Sequence, residues 1–144
     1  MTLEQVLNQQ IANWNVLYAK LHHFHWYVKG PHFFTLHAKF EAFYEEAAAT
    51  VDEFAEQLLT IGGSPISTLS ESLQLATIKE TTEKLTAEEM VDTVINDFTT
   101  IIDELKSGIE VAEQNHDEVT SDMFLGVIAK LNKHNWMLRA FLQA

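Results

Sequence analysis

The chain has 144 residues, a formal net charge of -12 and no cysteine. Disulfides, thiolate metal sites and cysteine nucleophiles are excluded, and a pI near 4.8 suits cations better than nucleic acid phosphates. Five Gly and two Pro are too few for an all-β sandwich, and no apolar run approaches the roughly 20 residues of a membrane span. The stretch Met1-Thr2-Leu3-Glu4-Gln5 lacks the basic and apolar regions of a secretion signal, so the expected location is cytoplasmic.

The apolar spacing is helical almost throughout. Leu3, Leu7, Ile11, Trp14, Tyr18, Leu21 and His25 recur at three- and four-residue intervals, the stripe of a buried helix face. With Thr2 and Gln5 as a capping box, they predict a first helix that ends near Val28, before the breaker Lys29-Gly30-Pro31. A second helix is predicted from Phe34 to Ile61, stopped by Gly62-Gly63-Ser64-Pro65. Thr68 and Glu71 cap a short helix over Leu69 to Ala76. Thr86-Ala87-Glu88-Glu89 is a capping box that opens a third long helix, whose stripe is Met90, Val94, Phe98, Leu105, Ile109 and Ala112. Asn115-His116-Asp117 interrupts, and a fourth helix continues through Phe124, Ile128, Leu131, Asn135, Leu138 and Leu142. The pattern predicts one all-α domain over residues 1–144, a four-helix bundle. The short helix then sits in a long crossover between the second and third long helices, the ferritin-like arrangement.

Chemistry concentrates on the second helix. With about 100° per residue and His37 at zero, Glu41 falls at about 40°, Asp52 at about 60° and Glu56 at about 100°, all on one flank. Phe40, Ala47, Val51, Phe54 and Leu58 take the adjoining flank as core. Acids beside a core stripe are commonly a solvated helix edge, but the pairs His37/Glu41 and Asp52/Glu56 are each spaced i, i+4 and can each converge on one ion. Imidazole with carboxylate suits iron, zinc or manganese better than calcium. The two pairs lie about 22 Å apart along the axis, so each is half a site.

Two completions are open. Other helices of the same bundle can supply ligands, but the one Glu-x-x-His motif, Glu113-Gln114-Asn115-His116, sits beside a break. Alternatively, a second copy laid antiparallel about a two-fold axis brings the 37/41 pair of one chain to the 52/56 pair of the other. The crossing point is the small-residue run Ala47-Ala48-Ala49, and two equivalent sites shared between subunits result. His25, at the end of the first helix, is a further ligand if that helix lies alongside; by spacing alone it equally continues the core stripe.

The run His25-Trp26-Tyr27-Val28-Lys29-Gly30, then Phe33-Phe34-Thr35-Leu36-His37, Phe40-Glu41 and Asp52-Glu53-Phe54-Ala55-Glu56 closely resembles the signature of the Dps family, the dodecameric mini-ferritins. The likeness continues through Gly62-Gly63-Ser64-Pro65 to the carboxyl end. It implies a hollow dodecameric shell of four-helix subunits with iron-oxidising (ferroxidase) centres at two-fold interfaces. His25, His37 and Glu41 come from one subunit and Asp52 and Glu56 from its neighbour. It further implies a redox or shielding role for Trp26 and an acidic iron-entry pore at Glu113, Glu118 and Asp122, near the turn between the third and fourth long helices. Glu41 stands where the family usually has Asp, and Gln57 where many relatives have Arg; both departures bear on how the centre is filled.

The implied activity is iron storage and detoxification. Fe(II) is oxidised, with hydrogen peroxide preferred over oxygen, and the ferric product collects as mineral inside the shell. Hard, negative ligands favour Fe(III), and oxidising irons in pairs matches the two electrons that peroxide takes. Acids at the start of the fourth helix also suit its dipole without any pore. His22, His23, His32 and His134 have no spacing that compels a metal role. The competing reading is a DNA-compacting protein. The first basic residue is Lys20 and the only Arg is Arg139, so duplex binding is not expected at physiological salt. A purely structural helical oligomer with accidental acids is the third alternative.

Overall fold

The computed structural model describes residues Met1 to Gln143. Five helices follow in order: α1 (Leu3–Tyr27), α2 (Phe33–Thr60), α3 (Leu69–Leu75), α4 (Ala87–Gln114) and α5 (Glu118–Phe141). There is no strand among the described residues. The expected boundaries agree to within about one residue, which is as well as helix ends are defined. None of these helices is long and apolar enough to cross a membrane.

The ends form for the reasons the residues suggest. Gln5 and Thr2 exchange hydrogen bonds at the start of α1, the Thr2 amide donating to Gln5 Oε1 and the Gln5 amide to Thr2 Oγ1. The same reciprocal box joins Thr68 to Glu71 and Thr86 to Glu89. Gly62, at φ 90°, closes α2: its amide donates to the Leu59 carbonyl, and the Gly63 amide to that of Leu58. His116 closes α4 by the same pattern at φ 54°, with Asp117 N–H on the Ala112 carbonyl. A left-handed non-glycine residue costs on the order of 1 kcal/mol, which the paired carbonyls and the Asp117 cap on the Thr120 amide offset.

The chain divides into two compact units. One, Leu7–Met90, holds most of α1, all of α2 and α3, and the start of α4. Its buried residues include Leu7, Ile11, Trp14, Leu17, Leu21, Phe24, Phe40, Phe43, Phe54 and Leu58. Tyr18 departs from the expected stripe: it is 40% exposed, because its ring leans on His22 and Tyr44 at the edge. Three asparagines of α1 fasten the segment after α2. Asn8 receives the Ile66 amide and donates to the Ser64 carbonyl, and Asn15 donates to Ser72 Oγ. Asn13, fully buried, accepts from the Thr77 and Ile78 amides at 2.7 and 3.1 Å.

The other unit joins Met1–Val6 to the chain from Val91 onward. Its core is the expected stripe of α4 and α5, with Val94, Phe98, Leu105, Ala112, Phe124, Ile128 and Leu131 buried. Gly108 is required by close approach rather than by dihedral angle. A Cβ there would sit 2.9 Å from Val6 Cγ1 and 3.0 Å from Phe124 Cε2.

Candidate metal centre

α1 ends at Tyr27 and α2 begins at Phe33, so the reversal at Gly30-Pro31 sets the end of one helix beside the start of the next. His25 and His37 occupy these facing turns. Their rings stack with centroids 3.7 Å apart and planes 13° from parallel. Each reaches the other's backbone: His25 Nδ1 lies 2.6 Å from the His37 carbonyl oxygen, and His37 Nδ1 lies 2.7 Å from that of His25. A carbonyl can only accept, so both Nδ1 atoms carry hydrogen. With Nδ1 so engaged, Nε2 is the ring nitrogen that each imidazole can offer to a metal, the arrangement that backbone contacts commonly impose on metal-binding imidazoles.

His25 is buried and Glu41 half-exposed, and His25 Nε2 lies 3.8 Å from Glu41 Oε1. Phe33 stacks on the outer face of His37 at 4.8 Å and restricts its rotation. Tyr44, one turn beyond Glu41, stands edge-on to His25 with centroids 5.4 Å apart, and its hydroxyl donates to Glu41 Oε1 at 3.5 Å. Desolvation, followed by the negative fields of Glu41 and Glu45, raises the Tyr44 pKa above the ordinary phenol value. Its ring stacks on His22 at 3.6 Å, and His22 Nδ1 lies 2.8 Å from the Tyr18 carbonyl. Tyr44 and His22 were not singled out as site residues by the sequence reading, although Tyr44 is i+3 from Glu41 and His22 is i−3 from His25.

The remaining expected residues lie elsewhere. Asp52 and Glu56 are exposed further along α2. Trp26 is 67% exposed, with its ring 5.1 Å from His22. Glu113, Glu118 and Asp122 are all exposed around the α4–α5 turn, where Asp117 rather than Glu118 caps α5. Among the described residues of one chain, no group of three or more His, Asp or Glu is close enough together to hold an ion.

The family model for the ferritin-like domain matches residues 4–144. "DNA protection during starvation protein 2" of Bacillus anthracis is 53% identical over 138 residues, covering 96% of this chain and 94% of that protein. The crystal structure of a Dps protein from Bacillus brevis superposes with a TM-score of 0.96 at 54% identity, covering 97% of this chain and 94% of that one. The chain belongs to the Dps family. Its fold class is accordingly all-α and ferritin-like, the four-helix bundle with a short helix in the crossover, as the helix order suggested. A further relative, "General stress protein 20U" of Bacillus subtilis, is 52% identical over 140 residues with 97% of both chains covered. The names of these relatives set the Dps family in stress protection.

Proposed function

We propose that this Dps-family chain is a ferroxidase that stores and detoxifies iron in the cytoplasm. Each subunit is one ferritin-like domain, and subunits assemble as a dodecamer. His25, His37 and Glu41 of one subunit, with Asp52 and Glu56 of a neighbour across a two-fold axis, hold the iron substrate. The observation that carries this reading is the reciprocal His25–His37 clamp, which engages both Nδ1 atoms and sets His25 Nε2 3.8 Å from Glu41 Oε1. A packing histidine has no need of a free Nε2. Among the described residues of one chain no complete cluster forms, while Asp52 and Glu56, two of the three acids needed, stand exposed further along α2; both support a centre completed by a second copy.

The reaction is 2 Fe(II) + H2O2 + 2 H+ → 2 Fe(III) + 2 H2O, in which each iron gives one electron and peroxide takes two. Neutral imidazoles and carboxylates bind the incoming Fe(II), and the carboxylate charge favours the ferric product. Peroxide is the preferred oxidant and oxygen the slower one. Glu113, Glu118 and Asp122 line the path by which Fe(II) enters, and the ferric product collects inside the shell. DNA is protected through removal of iron and peroxide; a net charge of -12 disfavours direct binding to the duplex.

Anaerobic Fe(II) titration of the assembled protein, followed by stopped-flow mixing with peroxide, is the test. Saturable binding and rapid oxidation are expected, both lost in His37→Ala with Glu41→Ala. Equal binding by that variant would overturn the assignment, and retention of plasmid in a gel shift at physiological salt would favour the DNA-compacting alternative.

A further inference from the structure

His37 is the less protected of the two clamped imidazoles. His25 is 7% exposed, whereas His37 stands half-buried near the start of α2. The torsion that turns a histidine ring about its Cβ–Cγ bond is broad, so a half-buried imidazole keeps one plane only where something holds it. Two rings do so here. His25 stacks on His37 at 3.7 Å and 13°, and Phe33 at 4.8 Å and 21°. Rings so near and so parallel cannot share one face of an imidazole, so His37 is sandwiched. Phe33 precedes His37 by four residues, about one helical turn, which sets both on the same side of α2. Its own backbone is fixed by the chain reversal, where its amide donates to the Gly30 carbonyl at 3.1 Å. The hydrogen bond from Nδ1 to the His25 carbonyl selects which edge of the His37 ring turns toward α1. The sandwich keeps that ring from tilting out of plane.

We propose that Phe33 is a positioning residue of the metal centre: its flat face holds the His37 ring in its binding plane before any ion arrives. The inference rests on the ferroxidase reading above, and it gives Phe33 neither contact with iron nor any part in electron transfer. An ion that meets a loose imidazole must order it, and the entropy lost in doing so weakens binding. With Phe33 in place, that ordering is complete once the chain has folded. Flatness is the property that matters, rather than apolar bulk. An aromatic ring covers the imidazole across its face, while a branched aliphatic chain touches it at a few points. Stacked aromatic pairs contribute enough to change a binding constant by about 3- to 10-fold.

The test is a titration of assembled protein with Co(II), whose visible absorption reports coordination without oxidant or turnover. Phe33→Leu is expected to bind Co(II) about 3- to 10-fold more weakly than wild type, with the same spectrum at saturation because the ligands are unchanged. Phe33→Tyr keeps a flat face and is expected to bind as wild type does. If Phe33→Leu does not assemble, Phe33→Met takes its place, with the same expected loss. Wild-type affinity in the assembled aliphatic variant overturns the proposal, as does a Phe33→Tyr variant that binds as weakly as the aliphatic one. A changed spectrum at saturation also overturns it, since Phe33 would then be shaping the loop rather than steadying one ring. Wild-type protein that shows no saturable Co(II) binding, or His37→Ala that binds as well as wild type, overturns the metal-centre reading itself, and the role of Phe33 with it.

Discussion

His25 and His37 each hold the other's backbone carbonyl through Nδ1 while their rings stack at 3.7 Å. Neither imidazole is placed independently, because each ring fixes the helix end that carries its partner. The two should therefore act as a unit. His37→Gln is expected to weaken Fe(II) binding by at least about 10-fold, and His25→Gln to do the same. The double variant should lose less than the sum, with a coupling of about 0.5–3 kcal/mol in a double-mutant cycle read by anaerobic titration. Strict additivity would mean that the clamp does not couple them.

The proposed half-sites make a quantitative statement about mixtures. A subunit carrying His37→Ala and Glu41→Ala, and another carrying Asp52→Ala and Glu56→Ala, are each expected to be inactive as pure assemblies. When the two are dissociated and reassembled together, each mixed two-fold pair contains one intact centre and one doubly damaged centre. Random pairing then restores about a quarter of wild-type ferroxidase activity. Recovery near zero would place all five ligands within one chain.

Much of this was legible in the residues. Capping boxes and glycine stops are local, so Thr2/Gln5, Thr68/Glu71 and Gly62 set their helix ends without tertiary help. The i, i+4 pairs on α2 followed from helix geometry alone. What periodicity does not carry is contact between elements. The rings of His25 and His37 meet because a loop returns the chain at Gly30, and the Nδ1-to-carbonyl exchange depends on the offset of two helices. Tyr18 was assigned to the core because its spacing fits; its hydroxyl and its neighbours Tyr44 and His22 keep it at the edge instead. Asn8, Asn13 and Asn15 read as ordinary polar positions, yet their partners lie 56 to 65 residues away.

Asn13 illustrates the cost of such a staple. Its Oδ1 accepts from two backbone amides, of Thr77 and Ile78, and the Asn13 side chain is fully buried. Asn13→Leu keeps the volume but leaves both donors without that acceptor, at about 1–3 kcal/mol for each amide that water cannot reach. The expected result is a lower denaturation midpoint and earlier proteolysis between α3 and α4. An unchanged midpoint would show that water replaces the asparagine.

Glu71 makes a pH-dependent contribution of known sign. The Thr68 hydroxyl, and then the Ser67 amide, hold its carboxyl below the usual glutamate range. A lowered folded-state pKa means stabilisation that is complete above the unfolded value and is lost as pH falls through the folded one. Thr68→Val removes the hydroxyl; the lost cap on the Glu71 amide costs the same at every pH, while the part that depends on the carboxylate makes the gap largest at neutral pH and narrower in acid. Denaturation midpoints measured across that range check it, and a gap that widens toward acid would contradict the cause assigned.

The acids around the α4–α5 turn raise a separate question of delivery. Glu113, Glu118 and Asp122 are exposed, and Asp117 already caps α5, so the α5 N-terminus does not depend on any of the three. Glu118 in the first turn gains at most about 1 kcal/mol from the helix dipole, less in salt. Their neutralisation as Glu113→Gln, Glu118→Gln and Asp122→Asn should therefore cost little stability and leave assembly intact. If they form an entry path, the field that concentrates Fe(II) disappears, and uptake slows severalfold at low salt with a smaller effect as salt rises. Oxidation of iron already bound at the centres should keep its wild-type rate in the same variant. Uptake that matches the wild type at low salt, in an intact shell, would assign these acids to the solvated helix edge alone.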